Sequence, residues 1–190
     1  MNPLLRRRSF AAALLCSPWL GAAWAQAVLD APVQVQRDDR TLELAYNLKL
    51  ELPRTLADAL QRGVPLHFVV EARVRRVRWY WRDAVVAEGQ RVWRLSYQPL
   101  TRQYRVAVSR GLSQSFDTLE DALAVVRRAG RWPLDLRDDP SLDAQYELDF
   151  SLRLDVSQLP GPVQIGLGTR AALEATQTRR LHPMELGLAS

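Results

Sequence analysis

The strongest constraint on this chain is a strict two-residue alternation of large apolar and polar side chains in two separate segments. Leu42, Leu44, Tyr46, Leu48, Leu50 and Leu52 alternate with Glu43, Ala45, Asn47, Lys49 and Glu51. Tyr146, Leu148, Phe150, Leu152, Leu154 and Val156 alternate with Glu147, Asp149, Ser151, Arg153 and Asp155. Successive side chains of an extended chain point to opposite faces, so each segment makes a long strand with one dry and one wet face. A single wetted face belongs to antiparallel sheets, since parallel sheets are covered on both sides. A third row runs Leu66, Phe68, Val70, Ala72 and Val74, then resumes one residue out of phase at Val77, Trp79 and Trp81. Such a slip predicts a β-bulge at Arg75-Arg76. Further strands are expected at Val33 to Val35, Trp93 to Tyr97, Tyr104 to Val108 and Leu134 to Leu136. Turn signals at Glu88-Gly89 and Asp138-Asp139-Pro140 separate several of them.

Two short helices interrupt the strands. The string Thr55-Leu56-x-Asp58-Ala59-Leu60 recurs as Thr118-Leu119-x-Asp121-Ala122-Leu123, each followed by a glycine stop, Gly63 or Gly130. The repeat reads as good capping chemistry used twice, with a threonine accepting from the first turn's free N–H groups. The fold class is therefore mainly β: an antiparallel two-layer β-sandwich or curled sheet with two short helices. Trp79, Trp81, Trp93, Tyr97, Tyr104 and Phe116 are expected to supply its aromatic packing. No aromatic residue follows Phe150. Val163 to Leu167 is expected to form a last strand, Arg170 to Arg180 a polar helix, and the chain from His182 a mobile tail.

The first 25 residues read as an export signal. Arg6 to Arg8 form a positive start, Phe10 to Leu20 an apolar run, and Ala23-Trp24-Ala25 a small-residue cleavage site before Gln26. The run is too short to span a bilayer. Arg7-Arg8-Ser9-Phe10 also resembles a twin-arginine motif, although the Sec route to the periplasm is the expected one. The organisation is thus a signal peptide over 1–25, a β-rich domain over 26–168, and a C-terminal helix or tail over 169–190. Cys16, the chain's one cysteine, leaves with the signal, so no thiol or disulfide chemistry is expected. The net charge of +5 shrinks as well. Three of the 26 basic residues lie in that segment, leaving 23 against 21 acidic groups. That near balance removes the case for a polyanion binder, and no nucleic-acid partner is expected.

The most conspicuous chemistry lies in Arg73-Val74-Arg75-Arg76-Val77-Arg78-Trp79-Tyr80-Trp81-Arg82. With the bulge in place, the tryptophans fall on the core face and the arginines on a solvated face beside Glu71 or Asp83. The alternative is that Arg73, Arg75, Arg76, Arg78 and Arg82 bind an anionic membrane surface or an acidic partner. His67 reads as a surface or structural histidine, with a hydrolase built on it and a serine or acid as a remote alternative. No cofactor is expected, and no histidine or carboxylate spacing suits a metal.

The order of landmarks resembles a known family. They run Leu56-x-x-Ala59-Leu60-x-x-Gly63-Val64-Pro65-Leu66-x-Phe68, Glu71 and Arg78-Trp79-Tyr80-Trp81. Leu95-x-Tyr97-x-x-Leu100-Thr101-x-x-Tyr104 and Phe116-x-x-Leu119-x-x-Ala122-Leu123 follow, then Tyr146, Arg153-Leu154-Asp155 and Leu159-Pro160. Together, over Val33 to Leu167, these resemble an uncharacterised family of proteobacterial exported proteins, a domain of unknown function. Its genes often stand beside a membrane sensor histidine kinase of the nitrogen-regulation type. The resemblance implies an envelope location and an envelope or membrane sensor partner, and it supplies no catalytic residues. Members tend to end with tryptophans in a last strand, which this chain lacks. The function expected is a non-enzymatic periplasmic binding or accessory protein, possible partners including that sensor. The alternative is an envelope carrier of a lipid or other apolar ligand.

Overall fold

The computed structural model describes residues 27–78, 83–109, 111–167 and 173–188. The proposed signal peptide, with Cys16, and the segment Trp79 to Arg82 lie outside the described residues. The two strongest alternations fold as the longest-range frame of the molecule. They are β3 (Thr41–Leu50) and β9 (Gln145–Leu154), whose even-numbered residues are all buried and whose odd-numbered ones are not. Val156 departs from the row: the chain turns into a short 3-10 segment, and Val156 is exposed.

The other strands are β1 (Ala27–Leu29), β2 (Gln34–Asp38), β4 (Leu66–Val77), β5 (Ala84–Gln98), β6 (Gln103–Val108), β7 (Ser113–Phe116), β8 (Arg128–Leu136) and β10 (Glu174–Leu181). All pair antiparallel in one sheet of order β1-β3-β8-β5-β4-β9-β10, with β2 added beside β3 and β6-β7 beside β5. β4 is central, paired with β5 from Leu66 to Arg76 and with β9 from Phe68 to Val77. The sheet curls until β1 packs beside β10, making a nearly closed barrel whose inner rows form one core. Among those filling it are Tyr46 and Phe150, with ring centroids 5.2 Å apart, and Phe68, Leu148 and Leu152, all buried.

Several boundaries differ from expectation for identifiable reasons. The bulge falls on β5, not at Arg75-Arg76. Val74 pairs with Ala87 but Arg75 pairs with Val85, so Val86 is the extra residue. Its carbonyl accepts from the Arg137 and Asp138 N–H groups at 2.7 and 3.2 Å. Strand β4 therefore keeps its phase, placing Arg76 on the face of Val74. Glu88-Gly89 is strand interior rather than a turn. Among the described residues there are three α-helices: α1 (Arg54–Gln61), α2 (Leu119–Arg127) and α3 (Gly161–Leu167). The third replaces the strand expected over Val163 to Leu167. In α2 the Thr118 hydroxyl accepts from the Asp121 N–H at 3.1 Å, as capping chemistry demands. In α1 the cap is Pro53, and Thr55 sits inside the first turn. Helix α2 also ends early, because from Arg128 the chain pairs with β3 instead.

The C-terminal segment corrects the expectation of a polar helix and tail. Residues Glu174–Leu181 pair with β9 along their whole length, burying Ala175 and Leu181. A closing edge strand needs only one apolar face, and its outward residues are polar, which hid its period. Its side chains also stitch the barrel. The Val33 N–H donates to Gln177 Oε1 at 2.9 Å, and Arg179 donates to the Val33 carbonyl through Nε and Nη2 at 2.9 and 2.7 Å. Arg179 is held in turn by Glu185, at 2.5 and 3.0 Å. Glu185 also accepts from the His182 N–H in a capping box that fixes the final turn.

Replacing Arg179 by alanine should cost about 2 kcal/mol in urea unfolding, the scale for charged hydrogen bonds. It should also speed hydrogen exchange at the Val33 amide while leaving β4 protected. Arg179's hydrogen bonds hold the Glu185 carboxyl below its ordinary value, against the opposing effect of burial. Its seam contribution is thus present above the ordinary value of 4.5 and is lost as pH falls through the lower folded value. The stability gap between the native chain and Glu185→Gln should narrow over that acidic window.

Candidate functional site

The arginines of β4 are where the sequence points, and the structure gives each described one a neighbour. Arg75 faces outward and meets three carboxylates: Asp149 at 2.5 Å, Asp83 at 2.7 Å and Glu147 at 3.8 Å. Hydrogen bonding to Asp149, above all, raises its pKa. Burial pushes the Asp149 carboxyl up, but bonds from Arg75 and Thr178 outweigh it and leave the group below the ordinary range. Arg73 lies 4.0 Å from Glu88, which also pairs with Arg137. Arg76 lies 3.0 Å from Asp138, and donates to the Tyr146 hydroxyl at 3.3 Å and the Asp139 carbonyl at 3.1 Å. The Arg78 N–H donates to Asp83 at 3.2 Å. Arg82 lies outside the described residues. The outer face is a ladder of alternating charge, in which an incoming anion must compete with four carboxylates already in place, Asp83, Glu88, Glu147 and Asp149.

His67 sits on the outward face of β4 with its Nδ1 buried and unpartnered. Burial lowers its pKa, Arg94 adds to that, and Asp155 opposes. Asp155 is bound through its N–H to the His67 carbonyl at 2.7 Å, and its carboxylate accepts from the Ser157 hydroxyl at 2.6 Å. The serine proton is thus directed at the acid rather than at the imidazole, the geometry of a turn cap rather than of an activated nucleophile.

Sequence reasoning missed a third cluster, at the place where the sheet divides. On the side of β5 away from β4, β8 pairs only with Ala87 and Glu88, and β6 begins at Trp93. Between them, Gly89 to Arg91 have no strand partner on that side among the described residues. Arg91 is in phase with Trp93 and Leu95, so it points inward. Its guanidinium carbon lies 5.6 Å from the Trp93 ring centroid and 5.1 Å from that of Trp132. Burial lowers its pKa and Tyr46 opposes, with no carboxylate acting on it among the described residues. A guanidinium stays charged all the same. Two indole faces supply on the order of 2 kcal/mol toward its lost hydration.

The polar atoms around Arg91 are under-used. Trp93 is only 9% exposed, and its indole Nε1 has no hydrogen-bond partner. That N–H lies near the Tyr46 hydroxyl, which itself donates to the Val126 carbonyl of α2 at a long 3.3 Å. Burial raises the Tyr46 pKa, with Trp93 and Arg91 opposing. The readable signal was Arg91-x-Trp93-x-Leu95, a cation in phase with a core row. The turn assigned to Glu88-Gly89 concealed it.

Gly89 makes this arrangement possible. A Cβ there would lie 2.8 Å from Leu134 Cδ2 and 3.0 Å from the Trp132 ring. Only a bare backbone lets Trp132 lie against β5 and reach Arg91. Gly89→Ala should therefore lose about 1–3 kcal/mol in denaturant unfolding through overpacking. Gly130→Ala, with nothing within 4 Å of its added Cβ, should be neutral or slightly stabilising.

Elsewhere the larger cavities are surface ones lined mainly by charged and polar residues, including one of about 710 Å³ between Arg76, Arg78, Asp143 and Gln145. An apolar ligand between the barrel walls would need the room that Tyr46, Phe68, Phe150 and their neighbours occupy. Among the described residues no group of three or more His, Cys, Asp or Glu side chains could hold a metal ion.

No curated protein and no solved structure matches the chain. A family model matches residues 28–179, which takes in every described strand from β2 to β9 and the cluster at Arg91. By that match, the chain belongs to the family described as Domain of unknown function (DUF4390).

Proposed function

We propose that this protein is an exported, non-enzymatic binding module of the cell envelope, with its ligand site where β6 and β8 part along β5. Export is supported by the three-part N-terminal segment ending at Ala23-Trp24-Ala25, and by the resemblance of the chain to exported proteins. That resemblance also makes a membrane sensor kinase the first candidate for the protein it serves.

The observation that carries the binding reading is Arg91. The seam and outer-face arginines pair with acids: Arg37 with Asp139, Arg75 with Asp149, Arg131 with Glu43, Arg179 with Glu185. Arg91 is instead turned inward and framed by tryptophans, with an unpartnered indole N–H nearby. A half-buried cation without a counter-charge keeps unmet hydrogen-bonding capacity that something else must complete. A ligand does so when it binds.

Two measurements test this reading. Expressed with its own N-terminus in a Gram-negative host, the protein should appear in the periplasmic extract with Gln26 as its first residue. An uncleaved cytosolic product would overturn the envelope assignment. In-cell crosslinking from a photoreactive residue at position 90, beside the site, should capture a defined envelope component, and Arg91→Gln should abolish that capture. Capture unaffected by Arg91→Gln would refute the placement of the site.

A further inference from the structure

We propose that the ligand of the Arg91 site is a singly charged carboxylate, held by the guanidinium and the Trp93 indole N–H. The inference rests on the binding reading above and specifies its chemistry. Three features select the class. Arg91 supplies a planar fork of N–H donors, which matches the two oxygens of a carboxylate. Its guanidinium carbon lies 5.6 and 5.1 Å from the Trp93 and Trp132 ring centroids, so the two indoles flank it and a ligand meets the N–H groups they leave uncovered. Trp93 Nε1 adds one more donor, buried and held at most loosely by the nearby Tyr46 hydroxyl. A carboxylate offers about four lone-pair sites while donating nothing, which suits a guanidinium with no carboxylate beside it.

Charge decides between a carboxylate and the other common anions. One guanidinium balances one negative charge. A phosphate carries between one and two charges near neutral pH, and the excess would rest against indole rings and the buried Tyr46. The outer side of this stretch of β5 holds a cavity of about 480 Å³ lined by Glu71, Glu88 and Asp135 together with Arg73, Gly89 and Gln90. A carboxylate presented by a small acid or by a chain end meets the same donors.

The test is ligand-induced stabilisation of the full protein as the host processes it, read by thermal unfolding and by tryptophan fluorescence. The probes are acetate, benzoate, inorganic phosphate and benzyl alcohol at constant ionic strength. Acetate or benzoate should raise the midpoint in a saturable way and change the emission, while benzyl alcohol should not. Arg91→Gln should weaken carboxylate binding about tenfold or more, the scale of a charge-assisted hydrogen bond. Trp93→Phe, which keeps a ring and removes the N–H, should weaken it several-fold. Urea midpoints of both variants establish that they are folded, and Arg91→Lys, which keeps the charge, should retain part of the binding.

Phosphate binding as tightly as the carboxylates would overturn the assignment of a single charge. Carboxylate binding unchanged in Arg91→Gln would overturn the site. If neither carboxylate binds the folded native protein, while export and Arg91-dependent capture hold, the ligand class is wrong and the binding module stands. Failure of capture with carboxylate binding intact would have the opposite meaning.

Discussion

The central position of β4 is the constraint on which the rest of the molecule depends. Its inward residues Leu66, Phe68, Val70, Ala72 and Val74 are all buried, and it is paired along almost its whole length on both sides. A slip of one residue in either pairing would turn a whole dry row toward water and drive Arg73 and Arg75 into the core. Their burial away from acids would cost several kcal/mol per charge. The register is thus fixed twice, once by the hydrophobic rows and once by the cross-strand charges. Those rungs run from Glu88 to Arg73 to Asp149, with Arg75 beside Glu147.

A barrel built this way must still be closed, and the two ends of the sheet do so differently from its middle. The middle uses continuous ladders. The seam uses side chains, with Gln177 and Arg179 binding the backbone of Val33 where a ladder would have placed main-chain groups. Side-chain closure leaves a shorter row of unpaired edge groups, which limits edge-to-edge association. It also makes the seam the part of the molecule most sensitive to a single substitution or to acid, because the arginine and its carboxylate act together.

How much of this was legible depended on how regular each row is. The alternation in β3, β9 and the first half of β4 was readable residue by residue, because each carries an uninterrupted apolar face. Tyr97, Tyr104 and Phe116 also fall on one cross-strand row, as an aromatic face would place them. Strand β10 was unreadable because only Ala175 and Leu181 at its ends are buried, with polar residues between. A phase change in the β4 row points to a bulge in β4 itself, whereas Val86 on the neighbouring strand absorbs the extra residue, which one row cannot show. The arginines of β4 drew attention by their density. Yet density of charge on a solvated strand marks mutual pairing as readily as it marks a ligand. Arg91 drew none, because what matters there is direction and isolation, and both depend on long-range pairing.

The strip of β5 around Arg91 is also where the fold departs from regularity most often. Val86 bulges just before it, and a second register shift falls across from it, where Leu44 pairs with Trp132 but Tyr46 pairs with Ala129. Gly89 removes a side chain from the strand, the ladder on the β6 and β8 side lapses from Gly89 to Arg91, and a cation points inward. Each departure weakens a strand that could have been regular, since glycine gives up side-chain packing and unpaired backbone gives up hydrogen bonds. Independent accidents would scatter over the ten strands of the described residues. These converge, and each has the same geometric effect. The bulges re-aim β5 and β8, the glycine admits Trp132, and the lapsed ladder leaves β5 backbone unpaired beside Arg91. A sequence that keeps its local rules elsewhere and breaks several of them at one point is under a demand other than folding at that point.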